Sequence, residues 1–303
     1  MRVAIAGSTG LIGTALAESL TADGHTVTRL VRREVRAEGE SSWDPLAGRV
    51  DTSVIAGSDV VVNLSGASIG GKRLTASYAK TVLESRLSTT GLLARTLAEA
   101  GRGTLIQASA GGYYGARGEE ILHERSLPGT GLLPEIVVKW EQAANPAILA
   151  GVRVVLLRTG LVLAPNGPLA ERLFPLIRLG LLRRLGSGKQ WHSWISLLDV
   201  VRAIRLLSTS AYAGPVNLTA PTAVQDSELI AALARAAHRP RLFPVPSFAL
   251  RIVAGPAAED LLGSQVVEPA VLRELGFTWV HTDIDSAAVY AMTARGNPGA
   301  SAS

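Results

Sequence analysis

The eleven residues "VAIAGSTGLIG", Val3 to Gly13, constrain this chain more than any other stretch. A run of small and β-branched apolar residues ends at Gly7, glycines recur at Gly10 and Gly13, and an amphipathic helical pattern begins at once. Between a strand and a helix such glycines have separate jobs. The first permits the tight turn, the second admits a pyrophosphate close to the backbone, and the third lets the helix pack on the strand. An anion in that position is held by free N–H groups and the helix dipole. The first gap is one residue longer than in Gly-x-Gly-x-x-Gly, and a bare tight turn is the plain alternative. The stretch predicts that Gly7, Ser8, Thr9, Gly10, Leu11, Ile12 and Gly13 cradle a dinucleotide.

The same strand-then-helix alternation continues along the 303 residues. "HTVTRLV", "DVVVNLSG", "GTLIQASA" and "VRVVLLRTG" read as buried strands, and "YAKTVLESRLSTTGLLARTLAEA" and "PEIVVKWEQAANPAILA" as helices between them. This βαβ order argues a doubly wound parallel α/β sheet with helices on both faces. After Gly160 proline and glycine become frequent, "VNL" returns as a last core strand, and the remainder is mostly helical. We therefore assign residues 1–165 and 191–219 to the nucleotide-binding domain, 166–190 and 220–295 to a smaller substrate-side domain over the strand ends, and 296–303 to a disordered tail.

Composition removes several function classes. Without cysteine there are no disulfides, thiolate metal sites or cysteine nucleophiles, and no metal site is expected. No apolar run approaches the ~20 residues of a spanning helix, and the start of the chain lacks an unbroken signal-peptide core. A cytoplasmic protein free of the membrane is the expectation. The net charge of +5 comes from 30 basic residues, of which 26 are scattered arginines, and aromatics make up only 5 %, so nucleic-acid binding is not expected.

The end of the second strand bears on which dinucleotide binds. An acid there accepts from a ribose 2′-OH, whereas arginine accommodates a 2′-phosphate. The chain offers Arg29, Arg32 and Arg33 and no acid before Glu34, which favours NADP through Arg32 and Arg33 unless these are merely solvated charges.

Taken together, "GSTGLIG" (7–13), "NLSGASI" (63–69), "ESR" (84–86), "SAGGYYG" (109–115), "KWE" (139–141), "LRTGLVLAPNG" (157–167), "GSGKQWHSWI" (186–195) and "PVPSFALR" (244–251) resemble the atypical extended short-chain dehydrogenases/reductases, specifically the NAD(P)-dependent epimerase family proteins with a short C-terminal domain of their own. The resemblance covers nearly the whole chain. It implies a Rossmann fold, cofactor contacts from Asn63, Leu64, Ser65, Gly66 and Arg86, and a nicotinamide end bordered by Arg158, Thr159, Gly160 and Leu161. It also makes Asp199 an N-cap acid on a buried helix, for which a plain N-cap is the reading preferred, and assigns Ser196 no role.

In catalytically competent members a serine orients the substrate and a Tyr-x-x-x-Lys pair on the next helix moves the proton. The i, i+4 spacing places the ammonium beside the phenol, whose ordinary pKa is about 10. Ser109 fits the first role, but counting back from Glu141 puts Val137 at the lysine position and Leu133 at the tyrosine position. Lys139 cannot substitute, being about 200° further round the helix. Substitute donors are Tyr114 and Glu124, with Tyr113 and His192 behind them; each has an ordinary structural reading as well. Two functions remain open: an NADP-dependent oxidoreductase or epimerase acting on a small polar molecule, a nucleotide sugar among the candidates and a homodimer among the assemblies, and an NADPH-binding sensor without turnover that works through a partner.

Overall fold

Val3, Ala4, Ile5 and Ala6 are all buried, and a strand buried on both faces belongs in the middle of a sheet covered by helices above and below. In the computed structural model, which describes residues 1–68, 75–248 and 262–293, this strand is β1 (Arg2–Ala6) of a seven-stranded sheet. The others are β2 (Thr26–Val31), β3 (Glu40–Ser42), β4 (Val60–Asn63), β5 (Thr104–Ala110), β6 (Arg153–Thr159) and β7 (Gly214–Leu218). They lie in the order β7-β6-β5-β4-β1-β2-β3, and every adjacent pair is parallel. The expected Rossmann-type sheet is therefore present. The short edge strand β3 went unread because three residues carry too little pattern.

Side-chain alternation along β1 separates two layers. Val3 and Ile5 pack with Leu16 and Leu20 of α1 (Leu11–Ala22), and Ala4 and Ala6 face a cluster that holds Ile55 of α2 (Thr52–Gly57) and Leu93 and Leu97 of α3 (Ala76–Ala100). The strand order reverses between β1 and β4, and the crevice above that switch point is where doubly wound sheets take their ligands. The predicted single helix over 134–150 is two, α4 (Leu132–Gln142) and α5 (Asn145–Leu149). Pro146 explains the break, since it has no N–H to donate and its ring collides with the carbonyl of residue 142 in a continuous helix.

The remaining helices are α6 (Pro168–Arg178), α7 (Leu197–Thr209), α8 (Asp226–Ala236), α9 (Ala270–Glu274) and α10 (Ile284–Thr293). Phe174 and Ile177 of α6, Leu229, Ile230 and Leu233 of α8, and Ala287, Ala288 and Ala291 of α10 form a second core with Leu163 and Trp194. The stretch assigned to the smaller domain is nonetheless shared, because Val271, Leu272 and Phe277 pack in the first core with β7 and α7. The tail 296–303 lies outside the described residues, as do parts of the quoted 63–69 and 244–251 segments. No described helix is long and apolar enough to cross a membrane.

Asp199 explains how the C-terminal segment is fixed. It is not the N-cap of α7: Ser196 takes that position and accepts from the Asp199 N–H at 3.1 Å. The fully buried Asp199 carboxylate instead accepts from the backbone N–H groups of Val280 (2.8 Å) and His281 (3.0 Å). Burial pushes its pKa up, but the hydrogen bonds from His281 and Val280 outweigh this and hold it below the ordinary value.

Ending the chain after Ala220 removes α8, α9 and α10 and bares the apolar sides of Leu163, Phe174 and Trp194. The expected outcome is an aggregating product by size-exclusion chromatography with no cooperative thermal transition by circular dichroism. A soluble, cooperatively melting monomer would show that residues 1–220 fold without their C-terminal partner.

Candidate functional site

At the head of the crevice the glycine turn leaves no room for side chains. Gly7 has φ +79°, and a Cβ there would sit 2.7 Å from the Leu64 carbonyl group. A Cβ at Gly13 would run into the carbonyl oxygen of Gly7. Gly10 is the N-cap of α1, no side chain caps that helix, and its first turn holds no acid. Its leading N–H groups are thus free to bind an anion. Thr9 is exposed on the turn, while Ser8 is buried with its hydroxyl unpartnered among the described residues. Backbone cradle, free N–H groups and orphaned hydroxyl fit the pyrophosphate of a dinucleotide.

Asn63 shapes the facing loop from behind. Its amide donates to Gln107 (2.9 Å) and Thr90 (3.3 Å), and its oxygen accepts from the Ser65 N–H at 3.1 Å, which fixes Leu64, Ser65 and Gly66. Arg86, expected at the cofactor, braces the same loop. Its Nη1 donates to the carbonyls of Ala67 (2.9 Å) and Val82 (3.1 Å), and its guanidinium lies 4.7 Å from the Trp140 ring. Burial pulls its pKa down to about 10. Gln107, Thr90 and Trp140 were not singled out in the sequence, since they act only through this loop.

From the turn a cleft of about 510 Å³ runs along the strand ends. Gly7, Gly10, Leu11, Ile12, Gly13, Leu64, Thr159, Gly160 and Leu161, which the sequence reading assigned to the cofactor, line it together with Ser109, which it assigned to the substrate. Its far wall holds two polar residues that the reading missed, Asn166 and Arg172. Arg172 is exposed, and among the described residues it has no partner and is the only charged one lining the cleft. At the β2 end, Arg33 does not stand free for a phosphate: it forms a bidentate pair with Glu40, at 2.9 and 2.5 Å. That hydrogen bond, helped by the Arg36 N–H, lowers the Glu40 pKa to about 2. Arg32 is exposed and unpaired among the described residues.

The side chain of Arg158 turns away from the cleft into a buried network. Its Nε and Nη2 donate to the two carboxylate oxygens of Glu141, each at 2.9 Å, and its guanidinium lies 3.4 Å from the Tyr113 ring centre. Burial acts to lower its pKa, but the Glu141 hydrogen bonds and charge overcome this and the net shift is upward. Ser109 gives its proton to Glu141 at 2.6 Å, which leaves only its lone pairs for a ligand. Tyr114 has no exposed surface; its hydroxyl donates to Asn217 (2.6 Å) and accepts from Arg158 (3.2 Å). Burial raises its pKa to about 12 against the pull of Arg158, so Tyr114 is a sealed strut and not a proton donor facing a substrate. Glu124 is likewise a structural tie and not a donor facing a substrate. Its carboxylate accepts from the backbone N–H groups of Asn217 (3.1 Å) and Val271 (3.2 Å) and ties β7 to the start of α9.

Beyond Thr159–Val162 lies a second pocket of about 220 Å³, which shares those four residues with the cleft. Leu133 and Val137 of α4 form one wall and Trp191, His192 and Ser193 another. Lys139 is on the exposed side of α4, as its spacing required. His192 Nε2 lies 3.4 Å from Oδ1 of the fully buried Asp226, whose Oδ2 accepts from the Leu185 N–H at 2.7 Å.

The Arg158–Glu141 pair crosses from β6 to α4 and is nearly sealed. Glu141→Gln leaves the guanidinium buried without a countercharge, and a stability loss of about 3 kcal/mol is expected. Urea denaturation measures it; a loss below about 1 kcal/mol would place the pair among weakly contributing surface bridges.

Residues 3–219 match the NAD dependent epimerase/dehydratase family, and residues 245–289 match a domain of unknown function, DUF1731. An epimerase family protein of Mycobacterium bovis is 43 % identical over 97 % of this chain and 98 % of its own length. The crystal structure of the human epimerase family protein SDR39U1 with NADPH superposes with a TM-score of 0.87 at 30 % identity, covering 96 % of this chain and 99 % of that one. A nucleoside-diphosphate sugar epimerase from Corynebacterium glutamicum gives a TM-score of 0.80 at 34 % identity over 96 % of this chain and 58 % of that one. With the glycine cradle at its head and this likeness along its length, the chain belongs to the NAD dependent epimerase/dehydratase family.

Proposed function

We propose that the chain is an NADP(H)-dependent oxidoreductase: the dinucleotide lies from the β2 end, over the glycine turn, to Ser109 and Thr159, and a small carbonyl compound or alcohol meets it in the pocket walled by α4. One observation carries this reading: the cleft and the pocket lie against the same four residues, Thr159–Val162. When bound, the nicotinamide supplies or accepts hydride. The chain's own part is to hold the pyrophosphate at the α1 N-terminus, keep the Leu64–Gly66 loop rigid through Asn63 and Arg86, and set the reacting carbon against the apolar wall of Leu133, Val137, Leu161 and Val162.

A second reading, an NADPH binder without turnover, draws support from Leu133 and Val137. They stand on the pocket wall where the family resemblance puts tyrosine and lysine, and neither can move a proton. The Rossmann cradle serves both readings equally.

For the choice of dinucleotide, the unpaired Arg32 supports a 2′-phosphate, and the NADPH bound by human SDR39U1 agrees with it. NADPH is expected to bind at least ~10-fold tighter than NADH, about 1.4 kcal/mol, which one charge-assisted phosphate contact supplies. Arg32→Ala removes most of that margin. Equal affinities of the unaltered protein for the two cofactors, by titration calorimetry, would overturn the assignment.

A further inference from the structure

We infer that His192, held in place by Asp226, is the proton donor of this protein and that its substrate is a small carbonyl compound with an uncharged, apolar body; the inference rests on the hydride-transfer reading above. Among the described residues lining the pocket, His192 is the only one whose side chain ionises. It stands across from Leu133 and Val137, the wall that the resemblance equips with the proton-transferring pair.

The geometry behind His192 is that of an oriented acid. The short strand Trp191–His192 pairs antiparallel with Val224–Gln225, which brings Asp226, the next residue, to the far side of the imidazole. Asp226 is wholly buried, and its Oδ1 has no hydrogen-bond partner among the described residues. A buried carboxylate oxygen without a donor is costly, and the Nε2 of His192, 3.4 Å away, is the group that can compensate it. With Nε2 directed at Asp226, Nδ1 has no partner of its own among the described residues and is the nitrogen left for a ligand. Asp226 is a positioning residue: it sets the ring without touching substrate.

The pocket wall chooses the class of substrate. Leu133, Val137, Leu161, Val162 and Trp191 form its apolar walls beside the polar Thr159, Ser193 and Gln265, and no described lysine or arginine lines it to meet a phosphate. Arg172 lines the cleft and not this pocket. A cavity of 150 Å³ admits benzene, so one of about 220 Å³ has room for a six-membered ring carrying its carbonyl. In the reduction, a C–H bond forms at the carbonyl carbon as hydride arrives from the reduced nicotinamide, and the C=O π electrons pass to oxygen. The oxygen takes the Nδ1 proton of the His192 imidazolium, and the neutral imidazole regains a proton from water. The carbonyl is reduced and the nicotinamide oxidised.

The test uses the full chain loaded with NADPH, and cyclohexanone and benzaldehyde as probes. His192→Gln is expected to slow single-turnover NADPH oxidation about 100-fold or more with NADPH affinity unchanged. Added imidazole is expected to restore at least about ten-fold of the rate in His192→Gly, as a missing proton carrier requires. Asp226→Asn, which can still accept from Leu185, is expected to lower kcat about ten-fold at constant KM. Independently of turnover, the Cε1–H resonance of His192 is expected to move when cyclohexanone is titrated into the NADP⁺-loaded protein. A His192→Gln variant as fast as the unaltered protein, or no rescue by imidazole, overturns the donor while leaving hydride transfer standing. An unmoved His192 resonance overturns the substrate site. Failure of the unaltered protein to bind NADPH defeats the oxidoreductase reading on which the inference rests.

Discussion

A guanidinium buried at the end of β6 governs much of what surrounds it. Arg158 is tolerable in the interior only because Glu141 meets it with both carboxylate oxygens and Tyr113 covers its face. That requirement fixes α4 against β5 and β6, sets which α4 residues look into the pocket, and uses the proton of Ser109. It also draws the Tyr114 hydroxyl inward, where Asn217 and Arg158 complete its bonding. The polar groups that would ordinarily serve chemistry here are committed to holding the architecture, and the proposed proton transfer therefore falls to another residue of the pocket wall.

The second constraint is steric. The glycine turn works because Gly7 lies against the Leu64 carbonyl and Gly13 against Gly7, so β1, β4 and α1 meet with nothing between them. The smaller region then closes on the same point. A Cβ at Gly167, which has φ +97°, would lie 2.9 Å from the Leu11 side chain, so the approach to α6 lies directly on the start of α1. The cleft roof and the cradle are thereby built against each other, although their sequences are far apart.

How much of this was legible depended on how local the cause was. The cradle was readable because its glycines, strand and helix are contiguous, and the five long β-branched runs announced their strands. The helix over 134–150 was overextended although Pro146 was in plain view, because apolar periodicity continues across it. Tyr114 and Glu124 were misread as donors because the groups that occupy them, Asn217 and the Val271 N–H, come from segments about a hundred residues or more downstream. Asp226 gave no signal at all; only the pairing of Trp191–His192 with Val224–Gln225 puts it behind His192. Arg33 looked the equal of Arg32 until Glu40 on β3 claimed it.

The central claim is that a family member with leucine and valine where the proton-transferring pair would stand still transfers hydride. The most direct measurement follows the label: the full chain is given NADPH deuterated at both C4 positions of the nicotinamide together with a carbonyl compound, and the alcohol is weighed by mass spectrometry. The account predicts one deuterium on the carbinol carbon of each product molecule. Tightly bound NADPH that keeps all of its label while every carbonyl offered is recovered unchanged would contradict it and leave the chain a binder.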